Sequence, residues 1–339
     1  MNNIKFQTNL SHEKIYLVSH FLVVKTSSLG DIIHNFPAIT DLRENFPQAN
    51  IDWVVEENYS VLPSLHPNVS QTISVSLRRW RREFRLPETY REISTFLSAL
   101  RRKKYDAIID TQGLFKSALI SRIARGPSFG LDRSSAREPV AYFYNKRLKV
   151  DKKNHAVDRN RSLTALSMGY QIKKKARFGL TLSKVNLAPV LDISKPYAIL
   201  LPFSSRKDKS WSFQDWISTG NLLTALGLRC VLLVGNDSDY STANQLVGKI
   251  QNSIVYPISP LDIVSSVLLH ATLVLGVDTG LTHLAAALKR PTIGIFLATD
   301  PQKTGLYGSE NIVNLGGVDE TVALHDISKS LGKLVPEFT

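Results

Sequence analysis

Short apolar runs alternate with amphipathic stretches along most of the chain. The runs are rich in Val, Ile and Leu and predict buried strands at residues 21–24, 51–55, 73–75, 107–110, 197–201, 229–234, 273–277 and 292–296. Apolar residues at helical spacing predict helices at residues 32–46, 90–102, 213–226 and 260–270. This alternation favours an α/β fold, in which helices cover both faces of parallel sheets.

Polar loops fall at the carboxyl ends of the predicted strands. In the second half of the chain they lie at residues 204–209, 235–239, 278–283 and 298–300, and the first half has strand-to-helix turns at residues 25–31 and 112–117. Ligands of open parallel sheets bind outside these strand ends, where such loops converge. The pattern therefore predicts a binding site assembled from loops that are far apart in sequence.

The stretch 273–288, LVLGVDTGLTHLAAAL, is typical of a buried strand that turns directly into a helix. Asp278, Thr279 and Gly280 form the turn, and His283 follows in the first helical turn. The free backbone N–H groups and the positive dipole end of such a helix favour a phosphate. Simpler roles stay open: Asp278 as a helix cap, Gly280 as a turn residue and His283 as a packed side chain. The convergence of the other polar loops favours the binding role.

The loop at residues 25–31, KTSSLGD, is another strand-to-helix turn. It has neither the GxxxxGK spacing of a P-loop nor the GxGxxG pattern of a dinucleotide site, which disfavours a NAD-dependent enzyme. The carboxylate of Asp31 would oppose phosphate binding. Asp31 is therefore interpreted as either a helix N-cap or a general base.

The excess positive charge is confined to the first half of the 339-residue chain. Residues 1–182 contain 30 Lys and Arg against 16 Asp and Glu, whereas residues 183–339 contain 12 against 13. The first half is therefore expected to meet an anionic partner: nucleic acid, a phosphorylated lipid or a membrane surface. The single cysteine, Cys230, excludes an intrachain disulfide, and no apolar run reaches the roughly 18 residues of a membrane span.

An arginine-rich cluster at residues 77–85, LRRWRREFR, is the most basic part of the chain. The aromatic residues Trp80 and Phe84 lie between its arginines. The arginines with a predicted binding role are Arg78, Arg79, Arg81 and Arg82. Guanidinium groups bind phosphates and carboxylates in a bidentate manner, so the cluster favours a binding surface over a merely solvated face.

Eight motifs together resemble the heptosyltransferases of lipopolysaccharide synthesis. In chain order they are KTSSLGDIIHNFPA, IDWVVEE, RRWRR, YDAIIDTQGLFKSA, AREP, HAVDRNR, PFSSRKDKSW and VDTGLTHLAAAL. Residues 25–31 and 278–283 are similar to the whole family, whereas RRWRR and AREP resemble the members that act first in the series. The similarity extends to about residue 307 and so includes nearly the whole chain.

The resemblance implies a GT-B fold, in which the parallel sheets of two Rossmann-like domains face each other across a cleft. We expect an extension at residues 1–20, an acceptor-binding domain at 21–182, a nucleotide-sugar-binding domain at 183–320 and a C-terminal helix or tail at 321–339. The extension has no clear signal-peptide pattern.

The activity implied by the resemblance is inverting glycosyl transfer without metal or cofactor. The donor would be ADP-L-glycero-D-manno-heptose and the acceptor 3-deoxy-D-manno-octulosonic acid (Kdo) on lipid A. Such an enzyme would be cytoplasmic and peripheral on the anionic cytoplasmic face of the inner membrane, with no nucleic acid partner. Another sugar donor or core acceptor, and a basic nucleic-acid-binding protein, stay open as alternatives.

The resemblance also assigns roles to individual residues. Asp31 matches the catalytic base. The implied nucleotide-sugar contacts are Ser204, Ser205, Lys209, Asp239, Asp278, Thr279, Gly280 and His283. Acceptor contacts are expected from Gln112 and Lys116 in addition to the four arginines. The chain departs from the family at the Ser204–Ser205 pair, where threonines are usual, and at Asp239, where a longer glutamate is usual.

The segment Asp237-Ser238-Asp239 matches the Asp-x-Asp pattern that holds a divalent ion in another class of glycosyltransferases. Its carboxylates could supply the oxygen ligands of a hard cation. However, Lys209 and the helix start at Thr279 already offer positive charge to a diphosphate, so we predict that no metal is required.

Overall fold

The structure is a computed structural model that describes residues 19–182 and 191–338. Most of the predicted extension at residues 1–20, and most of the connection that the sequence suggests near residues 183–194, lie outside the described residues.

A six-stranded parallel sheet forms the first domain, with strand order β3-β2-β1-β4-β5-β6. Its strands are β1 (His20–Val24), β2 (Asn50–Glu56), β3 (Gln71–Val75), β4 (Ala107–Asp110), β5 (Ser128–Leu131) and β6 (Lys146–Leu148). Its helices are α1 (Leu29–Ile33), α2 (Phe36–Asn45), α3 (Val61–Ser64), α4 (Leu77–Arg82), α5 (Pro87–Arg101), α6 (Phe115–Ile123) and α7 (Ala156–Met168).

A second six-stranded parallel sheet has the order β12-β11-β10-β7-β8-β9. Its strands are β7 (Tyr197–Leu201), β8 (Arg229–Leu232), β9 (Ser253–Val255), β10 (Leu273–Val277), β11 (Thr292–Phe296) and β12 (Ile312–Gly316). Its helices are α8 (Phe213–Ala225), α9 (Asp237–Val247), α10 (Leu261–His270), α11 (Gly280–Ala287), α12 (Pro301–Thr304) and α13 (Leu324–Leu334). Both sheets repeat the Rossmann strand order, which confirms the predicted pair of Rossmann-like domains.

The predicted helix at residues 32–46 is divided in two, and this prediction was wrong in its continuity. α1 ends at Ile33, and α2 begins at Phe36 with Pro37 in its first turn. Proline lacks the N–H that a continuous helix would need at this position, but it suits a helix start. The break fixes α1 as a short separate helix beside the loop at residues 25–31.

Apolar side chains of the two domains meet in one continuous cluster. Ile32 and Phe36 of the first domain belong to it together with Ile199 and Leu284 of the second. The C-terminal helix α13 joins another cluster in the second domain through the buried residues Ile327 and Leu331. α13 is thus packed against that domain, whereas the sequence set residues 321–339 apart as a helix or tail.

Three histidines of the first domain are buried, and burial lowers the pKa of each, that of His34 among them. His66 lies 2.9 Å from the hydroxyl of Thr40, and burial lowers its pKa to about 4. His155 lies 3.1 Å from the carbonyl of Gly305 in the second domain, and burial lowers its pKa to about 4 as well. The ordinary value is 6.5. Both rings should therefore link folding to pH.

Acidification from about pH 7 to about pH 5 should lower the free energy of unfolding by roughly 2 kcal/mol for each of these histidines. In this interval the unfolded chain takes up protons that the folded protein does not. The contribution of these neutral histidines to the free energy of unfolding is fully present above about pH 7 and is lost as the pH falls toward 4. Urea unfolding across this range measures the effect. His66→Gln should make the free energy of unfolding less dependent on pH. His325→Gln, at an exposed position on α13, should leave the pH dependence unchanged. Equal pH dependence in the unaltered chain and both variants would show that His66 does not link folding to pH.

Candidate active site

A cleft of about 810 Å³ lies between the carboxyl ends of the two sheets. The sequence-predicted base and all predicted nucleotide-sugar contacts line this one cleft: Asp31, Ser204, Ser205, Lys209, Asp239, Asp278, Thr279, Gly280 and His283. They come from loops that follow four different strands. The structure therefore brings together residues that the chain separates by as many as 252 positions, from Asp31 to His283.

Asp31 is the third residue of α1 and faces the cleft. The N-cap of α1 is Ser28, so the interpretation of Asp31 as the N-cap was wrong, but Asp31 completes a capping box with Ser28. The backbone N–H and the hydroxyl of Ser28 donate to its Oδ2 atom, at 3.0 and 2.9 Å. Oδ1 has no hydrogen-bond partner among the described residues. The capping-box role is compatible with a role as base, because each requires a different carboxylate oxygen.

The charge state of Asp31 suits a proton acceptor. Burial would raise its pKa, but the Lys25 ammonium and the hydrogen bonds from Ser28 outweigh burial and hold the pKa below the ordinary 3.8. The carboxylate is therefore ionised at neutral pH.

A small, partly open cavity of about 40 Å³ adjoins the cleft on the side of the first domain. Lys25, Arg137 and Arg159 make it strongly basic, and Asp31 and Arg137 line both this cavity and the large cleft. The Lys25 ammonium is buried, donates to the carbonyl of Thr111 at 2.9 Å and has its pKa lowered by desolvation. Sequence reasoning did not select these three cations individually, although Arg137 and Arg159 lie within AREP and HAVDRNR.

Gln112 and Lys116 hold the loop that precedes Asp31. The side-chain oxygen of Gln112 accepts from the backbone N–H groups of Thr26 and Ser27, at 3.1 and 3.2 Å. Lys116 donates to the hydroxyl of Ser27 at 2.8 Å. These contacts give both residues a structural role, and Gln112 also lines the small basic cavity.

Asp278 is the centre of a polar cluster in the second domain. Its Oδ2 atom lies 2.6 Å from Lys209 Nζ and 2.7 Å from Thr299 Oγ1, and its Oδ1 atom lies 3.0 Å from His283 Nε2. Burial opposes ionisation of Asp278, but the hydrogen bonds from His283, Lys209 and Thr299 hold its pKa well below the usual range. Asp278 therefore fixes the ammonium of Lys209 at the wall of the cleft.

Two helices from different domains begin face to face at the floor of the cleft. A Cβ atom at Gly280, the first residue of α11, would lie 2.4 Å from the Cγ atom of Leu29 in α1. Beside this contact, the ring of His283 lies 4.7 Å from that of His34, edge to face. The absence of a side chain at Gly280 thus allows the two helix starts to approach each other. The sequence indicated only a turn residue or a nucleotide-sugar contact at this position. His283 is largely buried, and its Nε2 atom lies 3.0 Å from the Oδ1 atom of Asp278.

The predicted loop at residues 235–239 is shorter in the structure, because α9 begins at Asp237. Asn236 caps the helix by accepting from the backbone N–H of Asp239 at 2.9 Å, and its amide donates to the carboxylate of Asp239 at 2.8 Å. Asp239 lines the cleft, whereas Asp237 does not. Among residues 19–182 and 191–338, no group of three or more His, Cys, Asp or Glu side chains is arranged to hold a metal ion.

The arginine-rich cluster divides into a structural part and an exposed part. Arg79 forms ion pairs with Glu57 at 2.9 Å and Glu92 at 2.8 Å, and the indole of the buried Trp80 donates to Glu92 at 2.7 Å. Arg78, Arg81 and Arg82 are exposed, and their side chains form no ion pair with the described part of the chain. The basic character of the sequence did not distinguish these environments.

Residues 93–332 match the family model of glycosyltransferase family 9 (heptosyltransferase). The chain belongs to this family. It is 39% identical over 308 residues to lipopolysaccharide heptosyltransferase 1 of Salmonella typhimurium, with 88% of this chain and 97% of the relative covered.

Two solved structures are similar to the chain. The E. coli heptosyltransferase WaaC with ADP is 35% identical, with a TM-score of 0.83, 94% of this chain and 100% of that chain covered. The same E. coli enzyme with ADP-2-deoxy-2-fluoro heptose is 36% identical, with a TM-score of 0.80. The match covers 91% of this chain and 98% of that chain. These matches confirm the GT-B fold and a heptosyltransferase activity in lipopolysaccharide synthesis. No helix in residues 19–182 and 191–338 is long and apolar enough to cross a bilayer.

Proposed function

We propose that this glycosyltransferase transfers L-glycero-D-manno-heptose from its ADP-sugar to Kdo of lipid A with inversion at the anomeric carbon. The observation that carries this proposal is the position of Asp31 between a large cleft and a small basic cavity. The cleft is suited to a nucleotide-sugar, and the related E. coli enzyme binds ADP and an ADP-heptose analogue. The basic cavity is suited to the carboxylate of Kdo.

The proposed reaction is a single displacement. Asp31 takes the proton of an acceptor hydroxyl as the hydroxyl oxygen forms a bond with the anomeric carbon. The bond between that carbon and the ADP oxygen breaks on the opposite face, and the electron pair leaves with ADP. Lys209 and the backbone N–H groups at the start of α11 stabilise the charge that develops on the diphosphate. Asp278 and Thr279 orient the donor beside them.

On the acceptor side, positive charge is present both in the cavity and at its approaches. Lys25, Arg137 and Arg159 would bind the Kdo carboxylate, and the exposed Arg78, Arg81 and Arg82 would attract the phosphates of lipid A. Arg79 would then hold α4 in position and would not touch the acceptor. With this acceptor, the enzyme would work at the anionic cytoplasmic face of the inner membrane.

The decisive experiment is a transfer assay with the full chain, Kdo–lipid A and a panel of nucleotide-sugars. We expect ADP-heptose to be used in preference to the other donors and the product to have the inverted anomeric configuration. Transfer from a different nucleotide-sugar, or to a different core sugar only, would favour a related specificity. Salt-sensitive binding to nucleic acid without any transfer would favour the nucleic-acid alternative.

Transfer should continue at full rate in excess EDTA. Lys209 and the start of α11 already face the position proposed for the diphosphate. The carboxylate of Asp239 accepts a hydrogen bond from the amide of Asn236, so this oxygen is already occupied. Asp237→Ala should therefore have little effect on kcat. Activity that EDTA abolishes and Mg²⁺ or Mn²⁺ restores would contradict both the metal-free reaction and the proposed position of the leaving group.

Arg81→Gln combined with Arg82→Gln should raise the KM for the lipid acceptor several-fold and flatten its salt dependence, because long-range attraction to the phosphates is lost. The KM for the donor should not change. Lys173→Gln with Lys175→Gln removes the same charge from another exposed segment and serves as the control. A change in donor KM, or an equal effect of the control pair, would overturn the proposed acceptor role.

A further inference from the structure

Three exposed apolar side chains and one half-buried ring form a patch on the first domain, which we name the α6 patch. Its members are Phe115 and Leu119 on α6, and Tyr142 and Phe143 on the short 3₁₀ helix Ala141–Phe143. Phe115 is 49% exposed, Leu119 52% and Tyr142 71%. Since Phe115 and Leu119 are four residues apart, they share the outer face of α6, whereas Ala118 and Ile120 of that helix are buried.

Two members of the α6 patch are in direct contact. The rings of Phe115 and Phe143 lie 6.1 Å apart, edge to face, which joins α6 to the 3₁₀ helix. Soluble domains commonly expose single apolar side chains, but a contiguous group of aromatic and aliphatic residues marks an interaction surface. The fold therefore presents an apolar surface that the active site itself does not use.

Basic side chains flank this apolar surface. The guanidinium of Arg147 lies 5.2 Å from the ring centre of Tyr142, and Arg122, three residues after Leu119 on α6, is exposed. Neither of these two cations forms an ion pair with another described residue. The acidic neighbour is Glu138, whose carboxylate accepts from the backbone N–H of Phe115 at 2.6 Å. An apolar centre with a basic rim complements an anionic lipid surface, where rings enter the interface and cations meet phosphates.

The α6 patch lies directly beside the proposed acceptor site. Phe115 precedes Lys116, which donates to Ser27 in the loop that carries Asp31. Gln112, three residues before Phe115, lines the basic cavity. A bilayer against this patch would therefore lie next to the proposed acceptor site.

We propose that the α6 patch seats the enzyme on an anionic bilayer, with Leu119, Phe115 and Tyr142 in the lipid interface and Arg122 and Arg147 on lipid phosphates. This inference rests on the proposed function, because only a lipid-linked acceptor requires the acceptor site to lie beside a bilayer. The bilayer itself is the occupant, and the acyl chains of a bound acceptor are a separate possibility that the experiment distinguishes.

The test uses the full chain and vesicles of phosphatidylethanolamine and phosphatidylglycerol that contain no acceptor. Co-sedimentation should show binding that weakens with added salt. Leu119→Gln with Tyr142→Ser should reduce the partition coefficient about tenfold or more, since less apolar surface enters the lipid. The matched control is Ile258→Gln with Val318→Ser, two exposed apolar residues of the second domain, which should bind like the unaltered chain.

Kinetics distinguish this inference from the proposed function. With acceptor embedded in vesicles, the Leu119 and Tyr142 double variant should have a raised KM, whereas with a deacylated, water-soluble acceptor its KM and kcat should equal those of the unaltered chain. Equal vesicle binding by both double variants would overturn the inference. Binding only to vesicles that contain acceptor would also overturn it, by assigning the patch to the acceptor's acyl chains. If the unaltered chain itself fails to transfer heptose to the soluble acceptor, the proposed function is refuted instead.

Discussion

Replacement of Asp31 with asparagine should lower kcat about 10²–10⁴-fold, the range expected for the loss of a general base. Asparagine keeps the shape of the side chain and an oxygen that can accept from Ser28, so α1 should still form. It cannot take the acceptor's proton. Donor affinity should change little, because the nucleotide contacts lie in the second domain. Steady-state transfer kinetics and titration with ADP measure the two effects separately.

Ser28→Ala is the control for the capping role of Asp31. It removes the hydroxyl that donates to Oδ2 at 2.9 Å but retains the carboxylate, so it should affect stability more than turnover. Near-normal kcat for Asp31→Asn, with a loss of stability like that of Ser28→Ala, would reduce Asp31 to a helix cap. Because the Asp31 pKa lies below 3.8, its protonation should not limit kcat/KM above about pH 5.

The α/β architecture could be predicted from the sequence because its strands are buried on both faces. Such strands appear as short apolar runs, and those of β7, β10 and β11 were predicted with the bounds that the structure shows. β5, β6, β9 and β12 were not predicted, because they are short or only partly buried and their sequences are less distinctly apolar. Apolar periodicity therefore identified the centre of each sheet better than its edges.

The candidate site could be predicted in part because parallel strands place their carboxyl-terminal loops at one edge. That geometric rule placed the loops of Lys209 and Asp278 at one edge of the second sheet. The resemblance to the heptosyltransferases implied that Asp31 faces them across a cleft, and all three residues line one cleft in the structure. The environment of each side chain could not be inferred in this way. Arg79 and Arg78 are adjacent in a uniformly basic segment, yet only the fold places Glu57 and Glu92 against Arg79.

Buried cations were the least predictable part of the site. Lys25 follows β1 in an ordinary polar loop. Its burial depends on the loop after β4, where the carbonyl of Thr111 accepts a hydrogen bond from the Lys25 ammonium. Arg137 and Arg159 converge on the same cavity from segments 22 residues apart. A sequence shows that such residues are basic, but the desolvation that lowers the Lys25 pKa arises only when these segments assemble.

Lys209→Ala should lower kcat/KM about tenfold to a hundredfold, since a charge-assisted hydrogen bond contributes roughly 1.5–3 kcal/mol. In the structure the Lys209 ammonium lies 2.6 Å from Asp278, at the wall of the cleft beside the start of α11. We expect this ammonium to meet the diphosphate, both in the bound donor and as ADP departs. Its removal should therefore weaken ADP binding in calorimetry and also reduce kcat in single-turnover transfer.

Lys207 provides a matched control for this prediction because it lies in the same 3₁₀ turn, Lys207–Lys209, but is exposed and does not line the cleft. Lys207→Ala removes the same charge and should leave both kcat and ADP affinity unchanged. If the two variants lose activity equally, the effect of Lys209 is one of general charge and not of contact. If Lys209→Ala weakens ADP binding with normal single-turnover kcat, Lys209 binds the donor without assisting departure of ADP. Unchanged kcat and donor KM would remove Lys209 from the site, leaving it only as the partner that keeps Asp278 ionised.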